Sequence, residues 1–553
     1  MDATMYSLRI QAKGKIESLA DGFNLSGTPF SVFVRAKENT METHVLIRCK
    51  LICDKEDGDF PVPIGDWTPG SIVSLSPDAL DLEKYDIYWG AGETIKNKNM
   101  GLILGSGSTK PQYPYDQWYG VQGDFTSSDY RLTRVGNLDL HRTLPVQAKL
   151  RRYVENIDGS VKYYLHQNDS RKKESGATAI IDSTDGNVML EKPEYYIKIE
   201  ISGTKWIYAI SEYPLPGFIK MEKKAISPWF ATQDTTTGEA VSGCWLTWNG
   251  NEIARDENGF VKLKDNAAQF RGGSGSSDAS KDGTYNSQLG MARTSVSKAT
   301  VRPWCKHGTH IGAYRAYNEI AWLQRIEYAS LHCQDAYNES LTDDGFHQGG
   351  LGNGCTVSGT EWNTWGGYRP FVPCGVTAVL GNNTGKVSYT IKGWTGGDKV
   401  IQVTSYRGLE VPFEYLWMLA DDVLVHHGSD KSVAYLCEDP TKFTSHSDSS
   451  TAIPDGYVAM TDLPRKDGYI LTSAMSMKGY TFPDNTTGGS SNKGFCDYFY
   501  TCVDDSGWSS PGWYGALLSA SAHNGTNAGF GYLYTTHRSS SALANIGFRL
   551  CRF

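Results

Sequence analysis

The chain lacks any run approaching the roughly 18 apolar residues that a membrane-spanning helix needs, and Met1 to Ile10 shows neither the basic cluster nor the apolar stretch of a secretory leader. It also lacks a CxxC pair. Its eleven cysteines are an odd number, which together with the missing pair argues against both a disulfide scaffold and a zinc ribbon and for buried thiols. Positive charge is not in excess either: the formal charge is −8, and Lys and Arg are scattered, whereas a nucleic-acid binder needs a basic stripe to neutralise phosphates. There is no Gly-x-Ser-x-Gly elbow, and Gly105 to Lys110 fails the Gly-x-x-x-x-Gly-Lys spacing of a phosphate loop. His307 with His310, and His426 with His427, are pairs short of the three or four donors of a zinc site. Asp421-Asp422 lacks the alternating oxygens of a calcium loop. The expectation is a protein without metal, cofactor or catalytic set, made and assembled in a cytoplasm, with no nucleic-acid partner and no membrane insertion.

What is plentiful is Gly (59), Tyr (32) and Trp (15), the profile of turn-rich β structure with aromatic surfaces. His44 to Cys53 alternates as a half-buried strand does, Ser31 to Arg35 and Ile72 to Leu75 add two more, and residues 1–98 read as a small β-sandwich. Residues 99–225 read as a linker followed by β-hairpins, with Asp158-Gly159 and, further on, Asn249-Gly250 as tight turns. The Gly/Ser/Asp-rich stretch 272–283 reads as a surface loop. Residues 226–553 form the main unit. From Tyr317 to Tyr337, Trp322, Ile326, Ala329 and Cys333 recur at helical spacing. Pro412 suits the first turn of a second helix that carries Phe413, Leu416 and Trp417 inward and ends at Asp421-Asp422. The fold class expected is therefore α+β, β-rich, with two main helices.

The last third holds the phrases Ser405-Tyr406-Arg407-Gly408-Leu409-Glu410, Phe413-Glu414-Tyr415-Leu416-Trp417 and Asn545-Ile546-Gly547-Phe548-Arg549-Leu550. Between the second and third lie Leu517 to Gly529 and then Tyr532, Tyr534, Thr536 and His537, where side chains vary in chemistry while glycines and asparagines set the backbone. These phrases resemble the C-type-lectin-like fold shared by formylglycine-generating enzymes and bacteriophage receptor-binding proteins, including those diversified by retroelements. Arg134 to Leu144, Tyr163 to Ser170, Glu212 to Gly217 and Ile326 to Ala329 extend the resemblance, to the phage branch, over residues 113–553. The enzymatic branch depends on a cysteine pair before the closing Gly-Phe-Arg. Leu517 to Ala544 has no cysteine, and Cys496 and Cys502 lie upstream, so that chemistry is not carried over.

The resemblance implies a non-enzymatic virion fibre or tail protein. Residues 1–98 would dock on other virion proteins, the C-terminal domain would bind a host-surface glycan or outer-membrane protein, and the assembly would be a homotrimer. It places ligand contacts at Ser519, Ser521, Ala522, His523, Tyr532, Tyr534, Thr536 and His537, since tyrosine gives rigid contact area and Ser, Thr and His give adaptable hydrogen bonds. Trp508, Trp513 and Tyr514, with Tyr498 and Tyr500, form an aromatic cluster just upstream of the kind that builds sugar platforms and hot spots. Asn527, Gly529, Asn545, Gly547 and Arg549 read as frame. Two alternatives are a structural head-fibre or tail component that only cements neighbours, and a glycan-active enzyme with paired carboxylates.

Overall fold

The computed structural model describes residues 117–274, 287–446, 450, 452–501 and 511–553, together with the backbone of five strands between Met5 and Ala91. Of the three strands expected in residues 1–98, Ser31 to Arg35 falls inside Phe30–Ala36, and His44 to Cys53 is described only at Leu51–Ile52. Ile72 to Leu75, and with it the sandwich as a whole, lies outside the described residues, as do most of the linker and most of the 272–283 stretch.

The fold is β-rich α+β. A seven-stranded antiparallel sheet runs in the order 169–173, 161–166, 151–155, 188–192, 224–226, 550–552, 310–311. A five-stranded sheet (219–221, 195–202, 205–211, 119–124, 133–136) lies alongside. A third, C-terminal sheet is built on Trp417–His427 and Gly512–Leu518 and continues through 533–534, 498–500 and 468–469. One hydrophobic core extends from Tyr119 to Cys551 and so crosses the boundary expected at residue 225.

Local chemistry sets the turns. The hairpin expected at Asp158-Gly159 forms, but as a longer loop in which the Asn156 N–H donates to Ser160 O at 2.8 Å, with a bulge between Val154 and Glu155. At the second site the two linking residues are Gly250 and Asn251, with Gly250 at φ 61°, so glycine relieves the strain of the left-handed turn.

The long helix is Tyr314–Tyr328, which starts and ends earlier than the apolar spacing predicts. Ala329 takes a left-handed conformation (φ 49°) and stops it, leaving Cys333 beyond the helix in the core. All of its residues are buried, although the sequence includes Arg315, Glu319, Arg325 and Glu327. Each of these charges meets a partner from a different segment. Asp422 caps the helix, accepting from the backbone N–H of Tyr314 (2.6 Å) and Arg315 (3.0 Å), which places an anion at the positive end of the helix dipole. Glu319 sits between Lys192 (2.6 Å) and Lys224 (2.9 Å). Burial pushes the Glu319 carboxyl up, but the two ammonium groups together outweigh it and hold it below its usual range. Arg325 faces Asp497 at 3.7 Å, and Glu327 receives Arg407 (2.6 Å) and the Tyr406 hydroxyl (3.0 Å).

The helix expected at Pro412 is not formed. Val411 (φ 39°) and Glu414 (φ 59°) are left-handed, and Trp417–His427 is a strand that is buried almost throughout. A strand covered on both faces reads as a continuous apolar run, which periodicity cannot tell from a buried helix. Asp421 and Asp422 accordingly end no helix; they sit in the bulge between Ala420 and Leu424, where Asp421 holds Arg302 (2.8 Å). The second sizeable helix is Gly359–Gly366, started by a capping box in which Ser358 accepts from the Glu361 N–H and the Glu361 side chain accepts from the Ser358 N–H.

Candidate functional site

The closing phrase acts as frame. Arg549, buried in the core, donates to the carbonyls of Ser227, Pro228, Glu410 and Val411, joining segments that are distant in sequence. Arg407-Gly408 makes the two-residue turn between 397–406 and 409–410, both at positive φ. Glu410 then accepts from the N–H groups of Gly375 and Thr377.

The segment after Leu518 is held by 414–415. Ser519 and Ala520 are both left-handed (φ 77° and 61°), a strained pair that persists because the surroundings over-determine it. Glu414 N–H donates to Ser519 O, Tyr415 N–H to Ala520 O and Ala522 N–H to Tyr415 O. The Glu414 carboxylate accepts from Gly354 N–H, Thr356 Oγ1 and Gln334 Nε2, and Gln334 also donates to Gly525 O. Burial pushes the Glu414 carboxyl up to about 7 against those donors. Gly529 is required by close approach, because a Cβ there would lie 1.6 Å from Asp497 Oδ1.

This frame sorts the expected contact residues. Ser519, Ser521, Ala522 and Tyr532 are buried, so the expectation that they are displayed is corrected. Ser519 Oγ donates to Leu416 O, the Ser521 N–H donates to Asn524 Oδ1, and Trp417 Nε1 donates to the Tyr532 hydroxyl. Trp513 and Tyr514 are likewise inside: Trp513 packs with Leu424, Cys437 and Tyr457, and Tyr514 lies under the Arg538 guanidinium, 3.9 Å from its ring centre. Both belong to the strand Gly512–Leu518, which is buried throughout. Trp508 lies outside the described residues. His523 is exposed, and Tyr534, Thr536 and His537 are half-buried.

Those open residues belong to a continuous aromatic strip. Ring centres run from Tyr368 to His523 (5.6 Å), to Trp417 (6.0 Å), to Tyr534 (4.9 Å), to Tyr500 (5.1 Å), to Tyr498 (4.5 Å) and to Tyr469 (5.0 Å), with His537 against both Tyr534 (5.1 Å) and Trp417 (5.8 Å). All but His523 and the buried Trp417 are half-buried. A polar edge follows one side: the Tyr469 hydroxyl donates to Asn527 Oδ1 (2.7 Å) and meets Thr526 Oγ1 (2.9 Å), and Asn527 Nδ2 donates to the Tyr500 hydroxyl (2.7 Å). Partial desolvation by the neighbouring rings moves His537, and the more open His523, below the usual imidazole value, which favours the neutral form of both near pH 7. Ring faces that can stack, hydroxyl and amide groups that can exchange hydrogen bonds, and neutral imidazoles together suit a polar, uncharged ligand surface such as a sugar.

Tyr368, Trp417 and Tyr469 were not expected here. They arrive by tertiary pairing, since 498–500 runs parallel to 533–534 and Tyr469 pairs with Tyr498, which no local sequence pattern announces. Among the described residues no group of three or more His, Cys, Asp or Glu is placed to hold a metal ion, and no helix is long and apolar enough to cross a membrane. His427 instead braces two strands, bonded to Ser432 Oγ (2.7 Å) and Thr535 O (3.0 Å). No protein-family model matches the chain, and no curated protein matches it.

Proposed function

We propose that this chain is a non-enzymatic recognition protein of a bacteriophage virion, a fibre or tail component whose C-terminal region has the C-type-lectin-like fold and grips a glycan or protein on the host surface. The observation that carries the reading is the strip: half-open rings in van der Waals succession, edged by hydroxyl and amide groups and fixed from behind by Glu414, Asp497 and Gly529. Such a surface offers contact area at little cost in side-chain entropy. Residues 1–98 take the role of docking on other virion proteins. A homotrimer would multiply weak single sites by effective concentration, so each strip need bind only weakly.

The test is competition. Purified full-length chain should block adsorption of particles that carry it, and Tyr534→Ala with His537→Ala should abolish that block while leaving the thermal transition of the protein nearly unchanged. If the double variant competes as well as the parent, the strip is not the contact. If particles lose the variant chain but still adsorb, the protein cements the particle and does not bind the receptor.

A further inference from the structure

A cavity of about 510 Å³ among the described residues shares no residue with the strip. It opens between the strand Asp169–Lys173 at the edge of the seven-stranded sheet and the two-residue hairpin 248–253. Trp248 forms an apolar side, half-buried, with Leu246 and Ile181 beside it, and the Arg171 guanidinium lies 4.9 Å from its ring centre. Arg171 is not free to swing. Asp169 clamps it through two bonds (Nε to Oδ1 2.8 Å, Nη2 to Oδ2 2.9 Å), Asn251 Oδ1 accepts from Nη2 (2.9 Å) and Gly250 O accepts from Nη1. The walls are therefore set in advance, the condition under which a site binds without losing free energy to ordering.

Charge selects the ligand. The lining holds Arg171, Lys172 and Lys264 with the carboxylate of Asp169, and Asp182 behind Lys264 brings the local balance to three cations against two carboxylates. Lys172 stands 3.9 Å from Asp169 Oδ2, beyond hydrogen-bond reach, with its side chain 55% exposed. Lys264 gives one bond to Asp182 (2.7 Å) and has donor capacity to spare. An aromatic face beside one loosely paired and one half-used ammonium group, at a volume typical of small-molecule sites, fits a pyranose that carries a carboxylate. We propose that this cavity binds a uronate unit of an acidic polysaccharide, with the sugar ring on Trp248 and its carboxylate between Lys172 and Lys264.

The probes are tri-galacturonate and maltotriose, titrated calorimetrically into the full chain. Tri-galacturonate should bind the parent, with maltotriose about tenfold weaker or worse, a difference of about 1.4 kcal/mol. Trp248→Ala and Lys172→Gln should each weaken tri-galacturonate about tenfold, and Tyr534→Ala in the strip should leave it unchanged. Lys172 is exposed at the rim, so its variant keeps the fold and decides the matter should Trp248→Ala unfold. Absence of tri-galacturonate binding, equal affinity for the neutral trisaccharide, full affinity in Lys172→Gln, or loss in Tyr534→Ala would each overturn the assignment. None of these outcomes bears on receptor binding by the strip, which competition for adsorption reads separately.

Discussion

Two sets of rings and polar groups, one around the long helix and one along the C-terminal strip, are built from the same side-chain types and end in opposite states. Around the helix, Trp322 stacks on Tyr208 at 4.2 Å, and Glu319 and Asp422 are sealed with their counter-ions. Along the strip, the Tyr500 and Tyr534 rings meet at a tilt of 47° with centres 5.1 Å apart and keep part of each ring open. The difference lies in who supplies the partner. In the helix region five separate segments, carrying Lys192, Lys224, Arg407, Asp422 and Asp497, bring a counter-ion to each of the four charges, whereas the strip is backed from behind only. Burial there is complete at Ser519, Ser521 and Tyr532 and stops one side chain short at Tyr534 and His537. A region completed from within stabilises the fold, and one left half complete is available to something outside.

The comparison breaks first at the helix. Removing Glu319 in Glu319→Ala leaves Lys192 and Lys224 buried without their counter-ion, and the variant should lose about 3–5 kcal/mol in urea denaturation. A loss under about 1 kcal/mol would mean that the ion pairs around the helix are incidental.

Behind the strip, acidity sharpens the contrast. The Glu414 carboxyl is raised to about 7 in the folded protein, above the usual carboxylate value that it regains on unfolding. Between those values the folded form holds a proton that the unfolded chain has released. This contribution to stability is full below about pH 4.5 and is lost as pH rises through about 7. Asp497, raised to about 7 chiefly by burial, acts in the same direction. Glu414→Gln should flatten the decline in stability between pH 4.5 and 8 by roughly 2–3 kcal/mol, with a residual slope from Asp497. An unaltered slope would remove Glu414 from the account.

Gly529→Ala should cost about 1–3 kcal/mol, because the added methyl meets Asp497, and it should weaken receptor binding along with stability. The smallest change belongs to the open side chains: His523→Ala should move stability by less than about 0.5 kcal/mol while measurably lowering adsorption competition. If thermal unfolding fell as far for His523→Ala as for Gly529→Ala, the distinction between frame and display would not hold.

Part of this was legible in the chain. Asp158-Gly159 and Asn249-Gly250 announce their hairpins, and Gly529 and Arg549 are frame residues as their chemistry suggests. Ser358-Gly359-Thr360-Glu361 is a capping-box signature that marks the start of a helix, a stronger signal than Pro412, which starts none. The error at Trp417–His427 has a physical cause: a strand covered on both faces shows no alternation to detect. The strip was half legible. Tyr534 and His537 sit in one short segment, but their companions Tyr368, Tyr469 and Tyr500 come from separate elements brought together by strand pairing, and the depth of Tyr532 and Trp513 depends on neighbours far away in the chain.

The strand Leu550–Arg552 occupies an interior place in the seven-stranded sheet, between 224–226 and 310–311, and its Leu550 N–H bonds to Ser227 across a separation of 323 residues. The loop that closes there spans most of the described chain, so its entropy must be lost before any reward arrives. While a ribosome is still making this polypeptide, the earlier strands must wait with an open seam. Completion should come as a late, slow, cooperative event, and deleting the strand Leu550–Arg552 should leave a sheet that cannot close.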